Sequence, residues 1–276
     1  MKRVVGSIAI AALLAGCAAT SSPDPSTTPT SNASSASNAA EIELTVYGAS
    51  SLKGALDAAK TAYATVAPGV TLTIATDASS TLRTQIEQGA PADVFLSADQ
   101  SNPKALVDGG LADGTAIDFA GNLLTVIVPA ANPAGIATPA DLAKAGTKVI
   151  AAGADVPITK YATQVVTELA TQPGYPAGFV AGYDANVVSR EDNVNAVVAK
   201  VELGEGDAAI VYVTDAKAST KVKTIEIPAA ANVPATYAGL VVKASPHAAA
   251  AHAFLTWLAG PDGQKVLAGF GFLPPS

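Results

Sequence analysis

The sequence predicts an α/β protein in two halves, on three observations. Strand-like and helix-like patterns alternate from Glu41 onward. The alternation runs twice, in two sets separated by a very apolar segment, Leu123 to Val128. The chain is also core-rich, with 49% hydrophobic and 14% charged residues, which is enough apolar surface for a large domain or two small ones.

Each element follows from its periodicity. Glu43 to Tyr47 reads as a strand and Ser51 to Val66 as a helix. Leu52, Leu56, Ala59, Tyr63 and Val66 fall on one face at helical spacing. Val70, Leu72 and Ile74 alternate as a strand, Ser80 to Gln88 is a short helix with Leu82 and Ile86 inward, and Asp93 to Ser97 is a buried strand. This order implies a mostly parallel sheet with helices on its faces. After the Leu123 strand come strand Lys148 to Ala152, helix Thr159 to Ala170, strand Ala185 to Ser189, helix Val194 to Leu203 and strand Ala208 to Val213. Val222 to Ile227 and Thr236 to Lys243 are further strands, and two helices run from Pro246 to Ala268. Two halves joined by two crossing strands fit this order better than one sheet. The expected first lobe is 42–122 with 238–276, and the second 123–237.

Residues 1–16 read as a signal peptide. Lys2 and Arg3 precede an apolar run, Val4 to Leu14, that is too short to span a bilayer. Leu14-Ala15-Gly16-Cys17 resembles a bacterial lipobox, with lipid expected on Cys17, the protein's one cysteine. No disulfide is then available to the exported fold. Residues 17–40 are rich in Ser, Thr and Pro, and beyond Cys17 no residue is more apolar than Ala. Such a segment cannot offset its ordering entropy by burial and reads as a flexible tether. The net charge of −7 argues against nucleic acid. It would also repel a small anion at long range, so an anion site must be built locally.

Ligands of open α/β sheets bind beyond the carboxyl ends of strands. Here that rule selects Gly48 to Ser51, Thr76 to Ser79, Asp155 to Pro157, Ser189 to Asp192 and the region after Tyr212. Four helix N-termini are expected in these loops, at Ser51, at Ser79 and Ser80, at Ile158 to Lys160, and at Asp192 to Val194. Each carries unpaired N–H groups and about half a positive charge. Several converging on one point would hold a dianion without a counter-ion, and serine hydroxyls add donors. The competing reading of Ser79 is an ordinary N-cap, a stability device worth about 1 kcal/mol.

Five stretches resemble the periplasmic molybdate-binding proteins of ABC transporters: VYGASSLKGAL, ASSTLRTQIEQGAPADVFLSADQ, VPITKYA, EDNVNAVVAKVELGEGDAAIVYVTDA and GFGFLPP. They run in order over nearly all of residues 42 to 276. The resemblance implies a type II periplasmic-binding-protein fold, in which two lobes close on an oxyanion across a hinge. It implies no reaction and no cofactor. The family's ligand set falls on Ser51, Ser79, the backbone amides of Ile158 and Val194, and the hydroxyl of Tyr212. Ile158-Thr159 stands where the family tends to have Ala-Gly. The implied ligand is molybdate or tungstate, held through its oxygens with no direct metal ligand from the protein. The implied partner is a membrane permease, and the binding protein is expected to be a monomer. A donor-only site suits a fully ionised oxyanion. A protonated one, such as hydrogen phosphate, brings a donor that finds no acceptor, at a cost of about 1–3 kcal/mol. Sulfate is fully ionised but smaller than molybdate.

Other residues read more plainly. Lys160 is either a surface lysine or reaches the anion or a cleft carboxylate. Asp93 is expected to fix its loop, Tyr161 to be core, Tyr47 to end its strand near the cleft as a candidate lining residue, and Asp192 to cap its helix with its side chain turned from the anion. His247 and His252 are five apart, off any shared helix face at three or four, a spacing that argues against a metal pair. A secreted serine hydrolase on Ser51 or Ser79 lacks a Gly-x-Ser-x-Gly elbow. Trp257, with Phe254, Leu255 and Leu258, reads as a buried helix face.

Overall fold

Leu44 and Val46, fully buried, and Gly48, also buried, put one face of Ile42–Ala49 (β1) against the core of the first lobe. The computed structural model describes residues 41–275; the expected leader, Cys17 and the tether lie outside the described residues. A 3-10 turn, Ser50–Leu52, leads into Lys53–Val66 (α1), so the α-helix starts two residues later than predicted. Gly48 is dictated by close packing: a Cβ there would collide with the Leu56 side chain of α1. Val70–Asp77 (β2), Ser79–Glu87 (α2) and Val94–Ser97 (β3) follow. Leu82 and Ile86 are buried as expected, each worth about 1.5–3 kcal/mol.

Ser101–Asp108 (α3) and Ala112–Asn122 (β4) complete the outward path, and Leu124–Pro129 (β5) opens the second lobe. That lobe adds Val149–Ala152 (β6), Pro157–Ala170 (α4), Phe179–Asn186 (α5), Val187–Glu191 (β7) and Val194–Glu202 (α6). Ala209–Tyr212 (β8), Val213–Ala218 (α7) and Val222–Ile225 (β9) finish it. The chain returns through Ala235–Val242 (β10) and ends in Ala248–Ala259 (α8) and Pro261–Gly269 (α9).

The first lobe holds a five-stranded sheet in the order β2-β1-β3-β10-β4. Its β1, β2 and β3 are parallel, while β10 runs antiparallel to both neighbours. The second lobe holds β8-β5-β9, antiparallel, and β6-β7, parallel, joined by a parallel bridge between Val149 and Ala208. Parallel pairs thus mark the βαβ units, and the strands entering or leaving the lobes pair antiparallel.

Register positions the site. Ala49 lies opposite Asp77 and Gly48 opposite Leu96, so Ser50-Ser51, Ala78-Ser79 and Ser97-Ala98 leave the sheet side by side. In the second lobe Ala152 lies opposite Glu191, which brings the starts of α4 and α6 together. At the crossing, the Asn232 side chain accepts the Leu124 N–H at 3.0 Å and donates to the Leu124 carbonyl at 2.8 Å, pairing the two connections. Asp93 fixes its loop as expected, accepting Thr45 N–H at 2.7 Å and bonding the Ser245 hydroxyl.

Candidate functional site

Ser51, Ser79, Ile158, Val194 and Tyr212 all line one small cavity between the lobes. Asp77 and Ala98 share its wall. Two donors come from the first lobe and three from the second.

Neither serine is an N-cap. The residue before α2 is Ala78, and Ser79 takes the first helical position with no capping bond from a side chain. Ser79 is 1% exposed, and its Oγ accepts the Ala98 N–H at 3.0 Å. With one lone pair taken by this amide, its hydroxyl proton is available to the cavity. Ser51 sits inside the 3-10 turn, with its Oγ 2.9 Å from Tyr237 Oη.

The two amides follow from helix ends. Pro157 begins α4 and has no N–H, and the Thr159 N–H goes to the Val156 carbonyl at 3.0 Å. Ile158 therefore carries the remaining first-turn amide at the cavity. Its side chain is 2% exposed within the core, so a large β-branched residue is accommodated there. Val194 is the first residue of α6, and Asn193 caps that helix by accepting Ala196 N–H at 3.1 Å. The expected cap, Asp192, is exposed and the cap is instead its neighbour. An amide-bearing Asn serves better here, because its Nδ2 is free for a second bond.

Tyr212 ends β8 and is 1% exposed, yet its Oη has no hydrogen-bond partner. Burial pushes this phenol well above its ordinary pKa, with smaller contributions from Tyr237, Tyr161, Asp215 and Asp99, so it stays a donor. The ring is held by edge contacts to Tyr237 at 5.6 Å and Tyr161 at 6.3 Å. Asp215 accepts the Tyr212 N–H at 3.2 Å, and burial pushes its carboxyl up to about 7.

Polar contacts flank the cavity and tie the lobes. Asn193 Nδ2 donates to Asp77 Oδ1 at 2.9 Å, which also accepts Ala78 N–H at 2.8 Å. Asn195 Nδ2 donates to the Ser50 carbonyl at 3.0 Å. Lys160 reaches a cleft carboxylate rather than the cavity: its Nζ is 3.5 Å from Asp99 Oδ2 and 3.3 Å from Ser101 Oγ. The roles of Asn193 and Asn195 escaped sequence reasoning; their one signal was an amide side chain beside a helix start. Tyr161 accepts the Thr236 N–H at the crossing, at 3.3 Å. Tyr47 packs into a small apolar cluster with Leu82, Phe95 and Leu106, and does not line the cavity. His252 bonds Asp113 at 3.1 Å on the surface, and Trp257 packs on Tyr63. Among the described residues no three His, Cys, Asp or Glu side chains group to hold a metal ion.

The cavity thus offers hydroxyl and amide protons and no cationic side chain. That donor set fits an oxyanion that brings only acceptors.

The profile of the family described as bacterial extracellular solute-binding protein matches residues 44–273. The molybdate-binding protein ModA of Mycobacterium tuberculosis is 34% identical over 266 residues, covering 96% of this chain and 95% of its own. A solved substrate-binding domain of a putative molybdenum ABC transporter from Clostridium difficile is 32% identical, with TM-score 0.64, over 85% of this chain and 100% of its own. The sulfate-binding protein SubI from Mycobacterium tuberculosis superposes with TM-score 0.74 at 23% identity, over 84% of this chain and 87% of its own, a likeness of fold. With its two lobes, its donor-lined cleft and a profile match over nearly the whole described chain, the protein belongs to the bacterial extracellular solute-binding protein family.

Proposed function

We propose that this protein captures molybdate, and tungstate with it, between its two lobes and delivers the anion to the permease of an ABC transporter. The observation that carries the reading is the buried, partnerless Tyr212 hydroxyl in a cavity that Ser51, Ser79, Ile158 and Val194 also line, and where the one carboxylate, Asp77, is engaged by Asn193 and the Ala78 N–H. Ser51, Ser79, the amides of Ile158 and Val194, and Tyr212 bind the anion's oxygens. Donors come from both lobes, taken as 42–122 with 238–276 and 123–237, so the bound anion favours the closed form. Lipid on Cys17 and the 17–40 tether hold this monomer at the outer face of the membrane.

A fully ionised tetrahedral anion suits these donors, and the same chemistry would admit sulfate if size did not exclude it. A serine hydrolase is disfavoured by the partners of the two hydroxyls. Ser79 bonds a backbone amide, and Ser51 bonds a phenol that burial keeps protonated, so neither bonded partner is a general base. Calorimetric titration of the purified protein with molybdate, tungstate, sulfate and phosphate tests the reading. One-to-one binding of molybdate and tungstate alone is expected. Binding of sulfate alone would reassign the ligand, and no binding of any of the four would end the oxyanion reading.

A further inference from the structure

An oxyanion needs a proton, and not a lone pair, from each serine. For Ser79 the backbone favours this, because the Ala98 N–H takes one lone pair of its oxygen at 3.0 Å and leaves the hydroxyl proton available. Ser51 has no such amide. Its oxygen lies 2.9 Å from Tyr237 Oη, a pair in which either group can donate.

The direction is set one residue further back. Asn122 accepts the Leu123 N–H on Oδ1 at 3.0 Å, which fixes the orientation of its amide. Its Nδ2 then faces Thr214 Oγ1 at 2.8 Å and Tyr237 Oη at 3.4 Å, one proton for each. Tyr237 Oη, accepting a hydrogen bond from Asn122 Nδ2, directs its own O–H to Ser51 Oγ. Ser51, having accepted, donates into the cavity. Tyr237 has no freedom to turn away: it is 0% exposed, with its ring held edge-on by Phe119, Tyr212 and Phe272. The contact of Asn122 with Thr214, on α7, ties this relay to the second lobe as well.

We infer that Asn122 and Tyr237 are positioning residues for the oxyanion: their hydrogen-bond relay holds the Ser51 hydroxyl as a donor and so tunes the site to fully deprotonated anions over protonated ones. This rests on the oxyanion reading above. Without the relay, Ser51 can rotate and offer a lone pair, which a protonated anion satisfies and a deprotonated one does not.

A double-mutant cycle tests the relay. Wild type, Tyr237→Phe, Ser51→Ala and the double variant are titrated with sodium molybdate and with phosphate near pH 6, where phosphate carries protons. Tyr237→Phe should weaken molybdate about 3- to 10-fold in the wild-type background, the loss of one hydrogen bond. In the Ser51→Ala background the same change should cost about twofold or less, because the relay then has no terminus. The preference for molybdate over phosphate should narrow in Tyr237→Phe. Asn122→Ala breaks the first link, and should act in the same direction and through the same cycle should the tyrosine variant fail to fold. Equal losses in both backgrounds, or no loss in either, would overturn the relay while leaving the oxyanion reading intact. A wild-type protein that takes up neither molybdate nor sulfate would overturn both.

Discussion

Tyr212→Phe removes one oxygen from a place where the structure gives it no partner. The ring, its contacts with Tyr161 and Tyr237, and the backbone bond to Asp215 stay. A buried hydroxyl without a partner costs about 1–3 kcal/mol. The ligand-free variant should therefore hold its stability or gain up to that amount. For a domain of this size, 1 kcal/mol moves the melting temperature by about 2–4 °C. Binding should move the other way. A hydrogen bond to a charged acceptor contributes about 1.5–3 kcal/mol, so the affinity for molybdate should fall about 10- to 150-fold. Thermal unfolding with and without molybdate, beside calorimetric titration, reads both effects. An unchanged melting point without ligand, together with a reduced ligand-induced shift, supports the assignment. A variant that melts earlier yet binds molybdate as tightly as wild type would refute it, since Tyr212 would then be a packing residue only.

Three further outcomes follow from the same geometry. Ser79→Ala should weaken molybdate by a similar factor but, unlike the tyrosine change, also lower stability by about 1–3 kcal/mol, because the buried Ala98 N–H loses its acceptor; melting curves separate the two variants. Lys160→Met removes an inter-lobe ion pair whose lysine side chain is 43% exposed, so it should cost about 0.2–1 kcal/mol of binding, and titration in high salt should erase the difference. Asp215 has its folded-state pKa raised from 3.8 to about 7, so the folded form binds more protons than the unfolded form across that window, and its contribution to stability is lost as pH rises through it. Asp215→Asn should accordingly stabilise more at pH 8 than at pH 5, as denaturant titrations at the two values would show.

Periodicity alone placed most of the strands and helices. Leu82 and Ile86 face inward at helical spacing because burial of one helix face selects that spacing, and α2 forms over nearly the predicted span. Elements without such a stripe were missed. Ala112–Asn122 carries few apolar residues, and it becomes a strand because β10 pairs along it, with two register shifts. Val213–Ala218 is too short to show a helical period. The five candidate ligands came from motif resemblance, and loops at strand ends were legible as the place for them. Their polarity was not legible. A serine before a helix looks alike whether it caps that helix or faces a ligand, and only the approach of Ala98 from another strand shows which lone pair of Ser79 is taken.

The sequence by itself determined the alternation of elements, the donor-rich loops and the absence of a cationic ligand among the candidate residues, because these depend on local pattern and residue type. The tertiary structure decided the rest. Parallel register between β1 and β2 sets two serine loops side by side, and lobe contact through Asn193 and Asp77 brings the second lobe's amides to meet them. Asn122 and Tyr237 are 115 residues apart in the chain and act on Ser51 from a distance no spacing rule spans. Hydrogen-bond direction in such a relay is a property of the assembled network, since each group's role as donor or acceptor is fixed by the neighbour that folding supplies.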